Sequence, residues 1–268
     1  MRLIVLAVML GAWWLLLSAS SANAIDFYEI QIYTVETTPR HLVTVELHSN
    51  TVTTATGQLA HETINPYQIH ETLETTYGLL DHVEIGQYLC TAKLNNGNYE
   101  YAGSRTKVHF GIGDPDRWLM AFGGNIELDY MRFAAEDNPL TLELRPILES
   151  RFHHIEIVAN LALEKPFSGP GTHLGVQFAP SGEVIYNNLL SWLSPAVEYY
   201  GDMGALEQLP SIQRQQHFIV PAVNLDLDPR LEINLGVGFG LTRASNGVFL
   251  KSILGWTFDT KLFSGGGP

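Results

Sequence analysis

The chain has 268 residues, of which 46 % are hydrophobic and only 16 % charged, with a formal net charge of −13. That acidic surplus excludes nucleic acid as a partner, because neutralising phosphates requires an excess of Lys and Arg. The single cysteine, Cys90, excludes an intrachain disulfide and a metal site built on several cysteines. Arg2, the apolar run Leu3 to Leu17 and the SASSANA that follows, with Ala22 and Ala24 at the small-residue positions, predict a cleaved secretory signal peptide over 1–24. An extended segment, FYEIQIYTV, then opens 25–40.

From residue 41 onward the apolar content is divided by strict alternation. Val43, Val45 and Leu47 oppose Thr44, Glu46 and His48. Val83, Ile85 and Leu89 oppose Glu84, Gly86 and Tyr88. Trp118, Met120, Phe122, Ile126, Leu128 and Tyr130 share one parity, against Ala121, Gly123, Asn125, Glu127 and Asp129. Leu140, Leu142 and Leu144 oppose Thr141, Glu143 and Arg145. Ile155, Ile157, Ala159 and Leu161 oppose His154, Glu156 and Asn160. Leu231, Ile233, Leu235, Val237, Phe239 and Leu241 oppose Glu232, Asn234, Gly236, Gly238, Gly240 and Thr242. Period two marks strands with one apolar face. About twelve are predicted (range 10–14): 41–49, 67–78, 82–94, 98–112, 117–131, 140–149, 153–162, 173–186, 193–203, 214–226, 230–242 and 247–259. Many exceed the ~5–6 residues usual in soluble domains. Short links at 79–81, 114–116, 150–151 and 228–230 generally alternate with longer ones at 50–66, 132–139, 163–172 and 204–213. The tail 260–268 is glycine-rich.

A signal peptide, no apolar run long enough for a spanning helix after it, and long alternating strands predict an all-β fold: an antiparallel transmembrane up-and-down barrel over 41–259. The short Asp-Pro turns fall on the periplasmic side of such a barrel, and the longer loops outside. Tyr67, Tyr77, Trp118, Tyr130, Tyr199, Trp256 and Phe258 stand near strand ends, where membrane-interface aromatics belong. FYEIQIYTV, VELHSN, LLDHVEIGQYL, AVEYYGDMG and DPRLEINLGVGFGLT followed by LKSILGWTFD resemble a poorly characterised family of bacterial outer-membrane β-barrel proteins. The resemblance covers nearly all of the chain after the signal and implies the fold, and it is almost silent on activity. Many such barrels end on an aromatic read by the barrel-assembly machinery; here Phe258 precedes a short extension. Outer-membrane lipid and that machinery are the expected partners, in a Gram-negative envelope.

The polar parity is where function would lie. Glu46, Glu74, Glu84, Glu127, Asp129, Glu143, Glu156, Glu198 and Glu232 are the expected lumen-lining carboxylates, with Arg105, Lys107, Arg145 and Lys251 as counter-charges. Such a lining favours cations or small polar solutes, or else fills a narrow barrel as an ion-pair network without a path. The histidines read as polar lining and loop residues. His153 and His154 are adjacent and, in a strand, point to opposite faces, while His48 shares a face with Glu46, as His70 and Thr72 do with Glu74. GVGFG lacks the strand–helix frame of a dinucleotide fingerprint. No metal, cofactor or catalytic residue is expected. The leading expectation is passive passage of small polar solutes or ions. The alternatives are a structural barrel with a plugged lumen, a rim-active lipid-modifying enzyme, and a soluble periplasmic β-sandwich.

Overall fold

The computed structural model describes residues 26–54, 67–94 and 96–259. The expected signal peptide, the tail 260–268 and residues 55–66 of the first long loop lie outside these described residues. Twelve strands follow one another: β1 Leu42–Thr54, β2 Ile69–Leu80, β3 Val83–Lys93, β4 Tyr99–Ile112, β5 Ala121–Met131, β6 Leu140–Phe152, β7 Ile155–Pro166, β8 Gln177–Tyr186, β9 Leu193–Asp202, β10 Gln216–Leu225, β11 Leu231–Gly240 and β12 Val248–Asp259. Each pairs antiparallel with its neighbours in sequence. β1 also pairs with β12, from Leu42↔Asp259 through Asn50↔Lys251 to Thr54↔Val248, which closes the barrel. Closure leaves no strand edge unpaired, and the single continuous sheet is a barrel, not a sandwich.

The alternation read from the sequence decides which face is which. Leu73, Ile126 and Val197 are 42 %, 49 % and 50 % exposed on the outside. Their opposite-parity neighbours Glu74, Glu127 and Glu198 are no more than 2 % exposed. The molecule is inside-out, with an apolar exterior and a polar interior, the arrangement a bilayer rewards. Among the described residues no helix is long and apolar enough to cross a membrane.

The connections correct several sequence-based boundaries. Trp118 and Met120 do not belong to a strand: β5 begins at Ala121. Asp114 starts a tight turn in which its carbonyl accepts the amides of Arg117 and Trp118 at 3.0 and 2.8 Å, so Trp118 stands in the turn, still exposed. β6 runs through Ser150 and Arg151 to Phe152, and His153–His154 form the turn, with His153 at φ 57°. The adjacent histidines are therefore not strand residues on opposite faces. β8 starts at Gln177, because Pro170–His173 coils into a 3-10 turn.

Residues 26–40 do not join the sheet along their length. They run down the inside of the barrel from the loop end to the turn end, where Arg40 bridges Gly78 and His41 leads into β1. Phe27 and Ile30 pack with Phe218, Val220 and Phe249. Tyr28 packs with Tyr88, Cys90, Ala92 and Met131. Tyr33 and Val35 pack with Ala121, Ile147 and Val158. This internal strap makes the barrel's apolar core. At the loop end, the loops fold over the mouth: Asn138 Oδ1 accepts the Gly171 amide at 2.8 Å, and the Leu206 amide donates to Val176 O at 2.8 Å.

Candidate functional site

The site is the lumen and the strap that runs through it. The strap is held by side chains of the wall acting as substitute strand partners. Asn160 on β7 clamps Tyr33: its Oδ1 accepts the Tyr33 amide and its Nδ2 donates to the Tyr33 carbonyl, both at 2.8 Å. Glu149 on β6 accepts the Val35 amide at 2.8 Å, Glu84 on β3 accepts the Thr38 amide, and Asn50 on β1 donates to Phe27 O at 2.8 Å. A buried backbone needs such partners, since an orphaned amide costs ~1–3 kcal/mol. Glycines admit the strap's backbone. A Cβ at Gly111 would collide with Val35 O, and one at Gly78 with the carbonyls of Thr38 and Pro39.

Three charged clusters surround this strap. In the first, Glu29 receives Arg105 Nη1 at 2.6 Å and Arg145 Nη2 at 3.6 Å. Arg105 also meets Asp26 and stands 3.7 Å from Glu127 and 3.8 Å from Asp129. Arg145 forks onto both oxygens of Glu143, at 2.5 and 2.8 Å. Tyr33 is central here: its hydroxyl bonds Glu29 and, at 2.8 Å, Tyr88, while Lys107 Nζ and the Arg145 guanidinium lie 4.4 and 5.1 Å from its ring centroid. In the second cluster Lys107 reaches Glu74 at 2.7 Å and Glu84 at 3.8 Å, with Glu46 and His48 alongside. In the third, Lys251 bonds Glu198 at 2.7 Å and Tyr200 Oη at 3.1 Å, and Asn234 donates to Glu198 at 3.1 Å.

Of the residues expected on the polar parity, the charged ones named for the lumen face inward, whereas His154 stands exposed in the turn between β6 and β7. Glu46, Glu74, Glu84, Arg105, Lys107, Glu127, Glu143, Arg145, Glu156, Glu198 and Lys251 are buried, and Asp129 is half-buried. Glu232 is solvent-accessible within a cavity. Glu156 stands apart from the clusters, at the turn end, where Arg151 bonds it at 2.9 Å and Glu149 at 3.1 Å. Of the expected interface aromatics, Trp118, Tyr130 and Trp256 are exposed and Tyr199 and Phe258 half-buried; Tyr199 Oη bonds His217 Nδ1 at 2.6 Å. Glu29, Tyr33 and Glu149 are not among the residues expected from the sequence, and Asn160, expected on the polar parity, gains its role as a strap clamp only in the structure. A signal for the strap exists: FYEI carries apolar residues on both parities with Glu29 among them, and all four are buried, as happens to a chain surrounded on every side.

Among the described residues, two cavities border the strap. A cavity of about 430 Å³ occupies the turn-end half, lined by Glu46, Glu74, Glu84, Glu183, Glu198 and Glu232 with Lys107 and Lys251. A smaller one of about 110 Å³ lies beneath the loops, between Glu29, Arg105, Asp129, Glu143 and Arg145. Gln31 lines both.

No protein-family model matches the chain, and no curated protein matches its sequence. Solved structures do match its shape. The KdgM porin aligns with TM-score 0.53 at 8 % identity, over 80 % of this chain and 99 % of that one. The NanC porin aligns equally well, at 8 % identity over 80 % and 98 %. The fold is porin-like. KdgM is also described in complex with disordered oligogalacturonate, and that structure aligns with TM-score 0.53 at 7 % identity over 80 % and 99 %. At these identities the likeness extends to the barrel and not to the lining.

Proposed function

We propose that this porin-like barrel resides in the outer membrane of a Gram-negative bacterium and passes small polar solutes or ions, cations before anions, with the strap 26–40 as its constriction. The observation that carries this reading is the carboxylate-lined cavity of about 430 Å³, within the ~300–1,000 Å³ of small-molecule sites; Gln31 lines both it and the second cavity. Rings of carboxylates select cations, and the buried interior glutamates outnumber Arg105, Lys107, Arg145 and Lys251. The oligogalacturonate seen with KdgM is a polyanion, and this lining argues for cationic or neutral solutes instead. The loop end would face outward, as longer loops do in such barrels.

Planar-bilayer recording tests the reading. Purified barrel is expected to give small, cation-selective current steps, and Gln31→Ala to enlarge them. Replacing Glu84 and Glu127 by Gln is expected to shift the reversal potential toward anions. Absence of current from both wild type and Gln31→Ala would instead establish the plugged structural barrel, a reading the strap itself favours.

A further inference from the structure

We infer that Glu46, His48 and Glu74 form a binding site for one divalent transition-metal ion, of the zinc class, in the wall of the turn-end cavity. Glu46 and His48 are two residues apart on β1 and so share its inner face. Glu74 on β2 is the direct cross-strand partner of Glu46. Two carboxylates directly opposite one another repel, and a third, Glu232, lies two strands along, beyond Gly255, in the same row. The cation at hand is committed elsewhere: Lys107 sits on the far oxygen of Glu74, Oε1, at 2.7 Å, and shares Glu84.

The facing atoms have no such partner. Glu46 Oε2, Glu74 Oε2 and both ring nitrogens of His48 are buried without a hydrogen bond, on residues 8 %, 2 % and 1 % exposed. His48 Nε2 stands 3.4 Å from Glu46 Oε2 and 3.4 Å from Glu74 Oε2, and one donor atom from each residue lies within 4.8 Å of the others. A single ring N–H points along one line and cannot serve two acceptors at that distance. A metal can. Ligands ~2.1 Å from a tetrahedral centre are ~3.4 Å from each other, the separation found on both edges from His48. One imidazole nitrogen and two carboxylate oxygens suit zinc. Calcium and magnesium need six or more oxygens and are disfavoured. Two carboxylates also neutralise one divalent charge, which removes the cost of two facing anions. Because Glu46 and Glu74 line the cavity, an ion held there keeps contact with whatever enters it.

The inference needs no conduction to hold, and its test uses none. Untagged, folded barrel in detergent, freed of metal by chelator, would be dialysed against zinc chloride with magnesium in excess, and bound zinc measured. One zinc per chain is expected in the wild type, weakened by at least ~10-fold in His48→Ala and in Glu74→Gln, the lower end of what losing even an outer partner of a ligand costs. A variant lacking His82 and His153, the histidines at two turns, should retain it. Cobalt(II) supplies the second readout: a visible d–d spectrum in the wild type that is absent from His48→Ala. Heat-modifiable gel migration confirms that each variant is folded. Zinc uptake absent in the wild type, or unchanged in folded His48→Ala, overturns the site and leaves His48 as a protonated counter-ion between two glutamates.

Discussion

Single side chains hold the strap, so its hold can be tested one residue at a time. Asn160 is fully buried and makes two hydrogen bonds to the Tyr33 backbone. Asn160→Ala strands both backbone groups, and a loss of ~1–3 kcal/mol is expected, with larger and noisier bilayer currents as the strap loosens. A urea midpoint identical to wild type would show that the clamp contributes nothing. At the loop end Glu136, in the loop between β5 and β6, has its carboxyl pushed up to about 8 by burial, with Asp26 adding to the shift. The folded state thus keeps a proton that the unfolded chain releases near pH 4.5. Stability from this group is fully present below that pH and declines as pH rises toward 8. Glu136→Gln should flatten that part of the profile, with the gap between variant and wild type widening in the variant's favour from pH 4.5 to 8. Parallel melting profiles would refute the assignment.

At the scale of the element, strand parity explains where glycine is needed. Gly236 and Gly238 on β11 are paired directly with Lys251 and Phe249 on β12. A Cβ at Gly236 would lie 2.8 Å from Val220 and 3.0 Å from Lys251, and one at Gly238 would fall on the Phe249 ring. The glycine stripe is room for these neighbours, neither a phosphate loop nor a water path. Gly238→Val should therefore cost ~1–3 kcal/mol by overpacking, read as a lower urea midpoint for the refolded barrel. Survival at the wild-type midpoint would mean that Phe249 moves aside freely. Gly255 does the same for Glu46, whose Cγ would stand 2.8 Å from an added Cβ, and so helps place one ligand of the inferred metal site.

At the scale of the whole molecule, the apolar outer belt and the charged interior make opposite demands on one substitution. Leu73 is outward, near the middle of β2. Leu73→Arg should cost ~2–4 kcal/mol in a bilayer and almost nothing if that face meets water, so refolding into vesicles separates the two environments. The interior obeys the converse rule. Its charges persist because they are paired through the strap and across strands, and removing one member of such a pair leaves a buried charge uncompensated. Strap, clusters and cavities are therefore one structure, and loosening one alters the others.

Twelve strands, their inward and outward faces and the closed architecture were legible in the sequence, because period two repeats locally and a sheet with one apolar face has few ways to cover it. Leu231 through Leu241 show this without any coordinates. The ends of strands were less legible: Trp118 and His153 carry strand-like patterning, but backbone turns that depend on hydrogen bonds place them outside. The strap was visible only as an extended segment, since nothing local in FYEIQIYTV says that a cylinder will close around it. Glu46, His48 and Glu74 could each be assigned to the inner face, but their convergence required the β1–β2 register, with Glu46 opposite Glu74. Local periodicity determined what faces the lipid; only the long-range pairing of strands, which fixes register and closure, decided which charges meet and how much of the lumen remains.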